Sequence, residues 1–139
     1  MSETLLQHLR RHEGVRYSAY QDQGGYTHIG IGTLIDARKG GAVSDDVIDL
    51  MAQEDIERNR CDLDKRLPWW RALNSVRQLA LEAMAYQLGT PKLFGFTKML
   101  ACLQAGDWLG AHTHAMNSTW AEQTPDRAKE VARMLRDGE

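Results

Sequence analysis

The stretch QDQGGYTHIGIG, from Gln21 to Gly32, is punctuated by glycine and leaves few choices of local structure. Tyr17 to Tyr20 and Tyr26 to Ile29 bring aromatic and β-branched residues to either side of Gln21 to Gly25, which reads as a β-hairpin about a glycine turn. Gly32 to Ile35 can add a third strand before the loop at Lys39, Gly40 and Gly41. Ahead of the hairpin, Leu5, Leu6 and Leu9 recur at helical spacing, with Thr4 and Gln7 as a capping pair. That helix is expected to end between His12 and Gly14.

Helical patterning takes over after the loop. Ser44 is a good cap for a long helix through Val47, Ile48, Met51, Ile56 and Leu63 to about Leu67, where Pro68 stops it. Its middle is mostly polar, as suits a helix that bridges two lobes. Val76, Leu79, Ala80, Ala83, Met84 and Gln87 predict a helix from Asn74 to Leu88 buried along a broad face, ended by Gly89, Thr90 and Pro91. Two more helices are expected. Thr97 to Ala105 turns Met99, Leu100 and Leu103 inward, and Asp107 to Met116 does the same with Trp108, Ala111 and Ala115. Thr124, Pro125 and Asp126 open a last helix through Val131 and Leu135.

A chain of 139 residues with 42% hydrophobic composition fits one domain with a real core, and such a chain can fold as two lobes around a cleft. The formal net charge of −2, with basic residues dispersed among acidic ones, offers no steering toward nucleic acid. No apolar stretch is long enough for stable membrane insertion, and Met1 to Arg10 lacks the pattern of a secretory signal. Synthesis in the cytoplasm is therefore expected. Cys61 and Cys102 lie in no metal-ligand spacing and read as free thiols, so neither metal nor cofactor is expected.

Glu13, at the expected helix end, stands nine positions before Asp22 at the mouth of the glycine turn. That layout can set one carboxyl in a partly dry crease and another in a wetter one beside it, the pair of environments that cleavage of a glycosidic bond uses. From spacing alone the plainer reading is a surface carboxylate at Glu13 and an Asx-turn residue at Asp22.

The chain resembles the phage-type lysozymes, glycoside hydrolase family 24. The resemblance is carried by Leu9 to Gly14 with Arg16, Tyr20 and Asp22, by Ile29 to Gly32, by Val76 to Gly89, by Gly95 to Thr97, and by Trp120 with Gln123 to Lys129. It implies an α+β lysozyme-like fold, with a small three-stranded antiparallel sheet lobe over about 14–66. A larger helical lobe takes about 1–13 plus 67–139, and a long helix joins the two. It implies a monomeric muramidase acting on peptidoglycan glycan strands, at the β-1,4 bond between N-acetylmuramic acid and N-acetylglucosamine. In a phage endolysin, release to the wall through a holin-like pore would follow.

Carried over residue by residue, Glu13 matches the general acid, a task that needs partial burial, and Asp22 the carboxylate that stays charged beside the oxocarbenium-like transition state. Arg127 matches the arginine that pairs with the catalytic glutamate from the last helix. Tyr86 and Gln87 resemble residues of the saccharide crevice, and Leu34 is a further substrate-binding candidate. Trp120 and Phe96 read most simply as core anchors.

The chain departs from the family at His28, where threonine commonly precedes the Ile-Gly-Ile-Gly run, and at Thr33, where histidine commonly follows it. The family threonine holds the attacking water with the aspartate, giving inversion. An imidazole there can serve as base for the water, or displace it and act as the nucleophile. It can also simply pack beside Tyr26 or Tyr20, leaving a slow or inactive enzyme. The loop between Thr33 and Ser44 is short beside the best-known family form, and the closing tail of that form is missing. Three alternatives stay open: a lysozyme-like wall-binding or structural module without catalysis, a lytic transglycosylase that needs no Asp22, and an unrelated helical interaction protein.

Overall fold

The computed structural model describes residues 4–30, 33–34 and 39–139, which divide into two compact units, Met1–Met51 and Ala52–Glu139.

The first unit opens with α1 (Leu5–Glu13), whose N-terminus is closed by a full capping box. Thr4 Oγ1 accepts from the Gln7 amide at 3.2 Å, and Gln7 Oε1 accepts from the Thr4 amide at 2.9 Å. Gly14, at φ 72°, ends the helix and turns the chain into β1 (Arg16–Gln21). β1 pairs antiparallel with β2 (Thr27–Gly30), and β2 with β3 (Thr33–Leu34), in the order β1-β2-β3. The hairpin and third strand expected from the sequence are thus present; Ile31, Gly32 and Ile35 lie outside the described residues. The Lys39–Gly40 turn brings Gly41 against β2. A Cβ on Gly41 would stand 2.6 Å from Thr27 Cβ, and its φ of 63° also favours glycine. No described residue of this unit is fully buried, and Leu5, Leu6 and Tyr17 are largely exposed.

α2 (Asp45–Arg66) is the expected long helix. Ser44 accepts from the Val47 amide at its start, and Leu67 follows its last turn before Pro68. Its second half contributes Leu63 to the core of the second unit.

That core is helical. A 3-10 turn (Trp70–Ala72) leads to α3 (Ser75–Leu88), α4 (Thr90–Phe94), α5 (Thr97–Ala105), α6 (Trp108–Met116), α7 (Thr119–Gln123) and α8 (Pro125–Asp137). α6 packs against α5 and α8, and α3 against α4 and α8. Met99, Leu100 and Leu103 of α5, Ala111 and Ala115 of α6, and Val131 and Leu135 of α8 are buried as the periodicity predicts; Trp108 is half-buried. The inward stripe of α3 is rotated from the expected one. Arg77, Ala80, Leu81, Met84 and Ala85 are buried, Val76, Ala83 and Gln87 are half-buried, and Leu79 is 56% exposed. Two short helices, α4 and α7, were not foreseen. Gly89-Thr90-Pro91 ends α3 and at once begins α4, because proline suits the first helical turn. Ser118 starts α7 by accepting from the Ala121 amide at 3.2 Å.

Arg77 explains the rotation of α3. Its Nε donates to the Leu135 carbonyl at 2.8 Å and an Nη to that of Arg136 at 2.9 Å, and its guanidinium lies 3.8 Å from the Trp108 ring centroid. Buried guanidinium is tolerated here because its donors meet helix-end carbonyls that would otherwise lack partners. Asn74, which caps α3, also donates to the Gly138 carbonyl at 3.1 Å, so the α3 start and the α8 end are joined. Gly138 is left-handed at φ 70°, and a Cβ there would meet Asn74 and Arg77 at 2.7 to 2.8 Å. Cys61 and Cys102 are free thiols.

Candidate active site

The turn between β1 and β2 is organised by Asp22. Its Oδ1 accepts from the amides of Gly24 at 2.8 Å and Tyr26 at 3.0 Å, while its own amide donates to the Tyr26 carbonyl at 2.9 Å. Asp22 is thus the Asx-turn residue that plain sequence reading suggested. The other oxygen, Oδ2, lies 3.0 Å from His28 Nε2. The amide of Tyr26, His28 and the amide of Gly24 hold the Asp22 carboxyl below the usual carboxylate value. A carboxylate only accepts, so with Asp22 ionised the Nε2 of His28 carries a proton and the lone pair of a neutral ring sits on Nδ1.

Three strands contribute a row across the sheet. Tyr20 of β1 stands opposite His28 of β2, and His28 opposite Leu34 of β3. The Tyr20 and His28 rings are stacked, 5.7 Å apart at 24°, and the Arg16 guanidinium lies 4.4 Å from the Tyr20 ring centroid. The structural role the sequence allowed His28, packing beside Tyr20, therefore coexists with its bond to Asp22. Leu34 is 45% exposed next to His28 in the register.

Glu13 ends α1 one residue before Gly14 and is exposed. The first unit thus carries Glu13, Asp22, His28 and Leu34 of the candidate residues, and of these Asp22, His28 and Leu34 are brought together by turn and strand pairing.

The remaining candidates belong to the second unit. Tyr86 and Arg127 line one groove of about 420 Å³ with Ile56, Arg60, Leu79 and Glu82, and Arg127 is the third residue of α8. Gln87 is engaged within the fold, its Oε1 accepting from Trp120 Nε1 at 3.0 Å and its Nε2 donating to Thr124 Oγ1 at 3.4 Å. A second groove of about 580 Å³ is lined by Phe96 and Trp120 together with Lys92, Lys98, His114 and Gln123. Sequence reading put Phe96 and Trp120 in the core and left this groove out. Trp120 is indeed 4% exposed, and Phe96 packs edge-on against it at 6.0 Å. The signal was present in the matched stretches Gly95 to Thr97 and Trp120 with Gln123 to Lys129, which pair aromatic with polar residues. Lys92 and His114 carried no sequence pattern that set them apart.

Among the described residues, no group of three or more His, Cys, Asp and Glu side chains could hold a metal ion, and no helix is long and apolar enough to cross a membrane.

Comparison with known proteins gives a consistent result. The chain is 31% identical to the pre-baseplate central spike protein Gp5 of Enterobacteria phage T4, over 97% of its own length but 28% of that protein's. Two proteins of Dictyostelium discoideum, probable T4-type lysozymes 1 and 2, are 22% and 26% identical, with 99% of this chain and 96% of each relative covered. The family described as phage lysozyme matches residues 10–136. With that match running through both the hairpin unit and the helical unit, the chain belongs to the phage lysozyme family.

Proposed function

We propose that the protein hydrolyses the β-1,4 bond between N-acetylmuramic acid and N-acetylglucosamine in bacterial peptidoglycan. The observation that carries the reading, beyond family membership, is the ionised Asp22 paired with His28 in the same unit as Glu13. Glu13 donates its proton to the departing sugar oxygen, and the bound glycan itself excludes water from this exposed carboxyl. As the glycosidic C–O bond breaks, Nδ1 of His28 bonds to the anomeric carbon and the ring becomes a glycosyl imidazolium. Its Nε2–H faces the Asp22 carboxylate, which offsets the new charge. Water then attacks the same carbon, Glu13 takes its proton, and neutral imidazole leaves. Two displacements retain configuration. Used only as a base for water, the same Nδ1 would give one displacement and inversion.

Leu34, Tyr86, Gln87 and Arg127 are assigned to substrate contact in this reading. Lys92 and Lys98 attract the anionic parts of the wall that a net charge of −2 would not. The protein acts as a monomer and reaches the wall through a holin-like pore where a phage supplies one. Glu13→Gln keeps the side chain's size and removes the transferable proton. Solubilisation of purified wall should fall at least about a hundredfold in the folded variant. Near-parental activity would overturn the assignment. Anhydro sugar in place of a free reducing end would identify a lytic transglycosylase.

A further inference from the structure

Histidine recurs at positions 8 and 12 of α1, and a step of four residues returns to the same face of an α-helix. Both side chains are exposed, and their rings stand 4.4 Å apart between centroids, tilted by 39°. The helix beneath them is fixed at its start by the capping box of Thr4 and Gln7 and runs through both residues to Glu13. Groups of three or more ligands that would enclose a metal are absent among the described residues. A helical pair is the smaller unit from which such sites are built, two rings at i and i+4 turned to one ion.

We propose that His8 and His12 bind a divalent transition-metal ion, Cu(II) or Ni(II) before Zn(II), as a two-histidine chelate on α1. Metal–nitrogen bonds of about 2.0 to 2.1 Å, with each ring centre about 1.2 Å beyond its nitrogen, put the centroids about 4.5 Å apart when the nitrogens meet the ion at a right angle, and about 5.2 Å apart at the tetrahedral angle. The observed 4.4 Å matches the first, the square-planar or octahedral arrangement of Cu(II) and Ni(II) rather than the tetrahedral one of zinc. Arg10 and Arg11, between the two histidines in sequence, oppose a cation, which restricts the site to ions with the strongest preference for imidazole. Binding takes one nitrogen from each ring in place of two waters of the hydrated ion, without transfer of electrons. The second nitrogen of each ring keeps its N–H for a hydrogen bond, the usual state of a metal-bound histidine. The remaining coordination positions stay with water. An ion so held ties the last two turns of α1 together next to Glu13, whatever reaction Glu13 serves.

The test titrates the full chain with Cu(II), Ni(II) and Zn(II) in turn, in a buffer that does not chelate metals, alongside His8→Gln and His12→Gln. Both positions are exposed, so both variants should fold. Paramagnetic broadening by substoichiometric Cu(II), read by NMR, should fall on the ring signals of His8 and His12 and on the α1 amides before those of His28, His112 and His114. The Ni(II) midpoint should rise at least about tenfold in either variant, because the second nitrogen of a chelate binds as an intramolecular ligand. Saturating Ni(II) should slow amide exchange in α1 of the parent and of neither variant. Equal Ni(II) midpoints in the parent and in either variant would overturn the proposal, since one ring would then suffice. So would broadening centred on His28 or His114, and tighter binding of Zn(II) than of Ni(II) would overturn the right-angle geometry. If one variant fails to fold, the other decides the same point. None of these readouts involves turnover, so Glu13→Gln remains a separate test of the muramidase reading.

Discussion

In the covalent route proposed for His28, the imidazole at position 28 has a stereochemical consequence. His28→Thr should turn a retaining wild-type enzyme into an inverting one, read by NMR of the first-formed anomers. Transfer to an added sugar acceptor should accompany retention and vanish in the variant. Inversion by the wild type would rule out the covalent route and leave His28 as a base. Asp22 makes a separate prediction. Its folded carboxyl titrates below the unfolded value of about 3.9. The stability it contributes is therefore fully present above that value and lost as pH falls through the lower folded one. Acid unfolding of the first unit, followed by its amide signals, should lose this slope in Asp22→Asn. His28→Ala should raise the Asp22 midpoint only partway, because the Tyr26 and Gly24 amides persist. The residue types at this site were legible in sequence because a carboxylate at a glycine turn has few local options. The stacking of Tyr20 on His28 was not, because a strand's alternation gives no sign of a register shift that changes which residue stands opposite which.

Among the elements, α3 and α8 depend on one side chain. Replacing Arg77 with Met would keep much of the packing on Trp108 but leave the Leu135 and Arg136 carbonyls without their donors. We expect a loss of about 2 to 3 kcal/mol, measured by urea denaturation followed through tryptophan fluorescence, and fraying of the last turn of α8 in hydrogen exchange. A loss below about 0.5 kcal/mol would mean that water satisfies those carbonyls as well as Arg77 does. Helices α5, α6 and α8 could be placed from sequence, since their apolar spacing and the breaks at Gly106 and Thr124-Pro125 agree with how they pack. α3 was placed in extent but misjudged in face: apolar counting enlists Leu79 and cannot anticipate that an arginine will be pulled inward by another helix's carbonyls. The short helices α4 and α7 are held by a proline start and a serine cap, signals that also mark turns.

In the molecule as a whole, the fully buried residues all belong to the second unit, as do Trp69, Trp70, Trp108 and Trp120, whereas the described first unit has none buried. Tryptophan fluorescence therefore reports the helical unit alone. Its urea midpoint should lie above that of the β2 amides followed by NMR, and exchange protection should be greatest in α3, α5 and α8. Coincident midpoints would mean that the two units unfold as one. The family and its α+β character could be read from sequence because matching stretches fall in both units. The groove beside Phe96 and Trp120 could not, because Lys92 and His114 come to its lining from separate helices. The tie between Arg77, Asn74 and the end of α8 has one more consequence. A pull on Glu139 enters α3 through hydrogen bonds to three successive parts of the chain end, at Leu135, Arg136 and Gly138, before it can unwind α8. Those bonds lie along a shared clamp and carry the strain together, so the last helix should detach abruptly at one threshold force rather than peel turn by turn, and a tether or fused partner attached there would be held by the core of the helical unit.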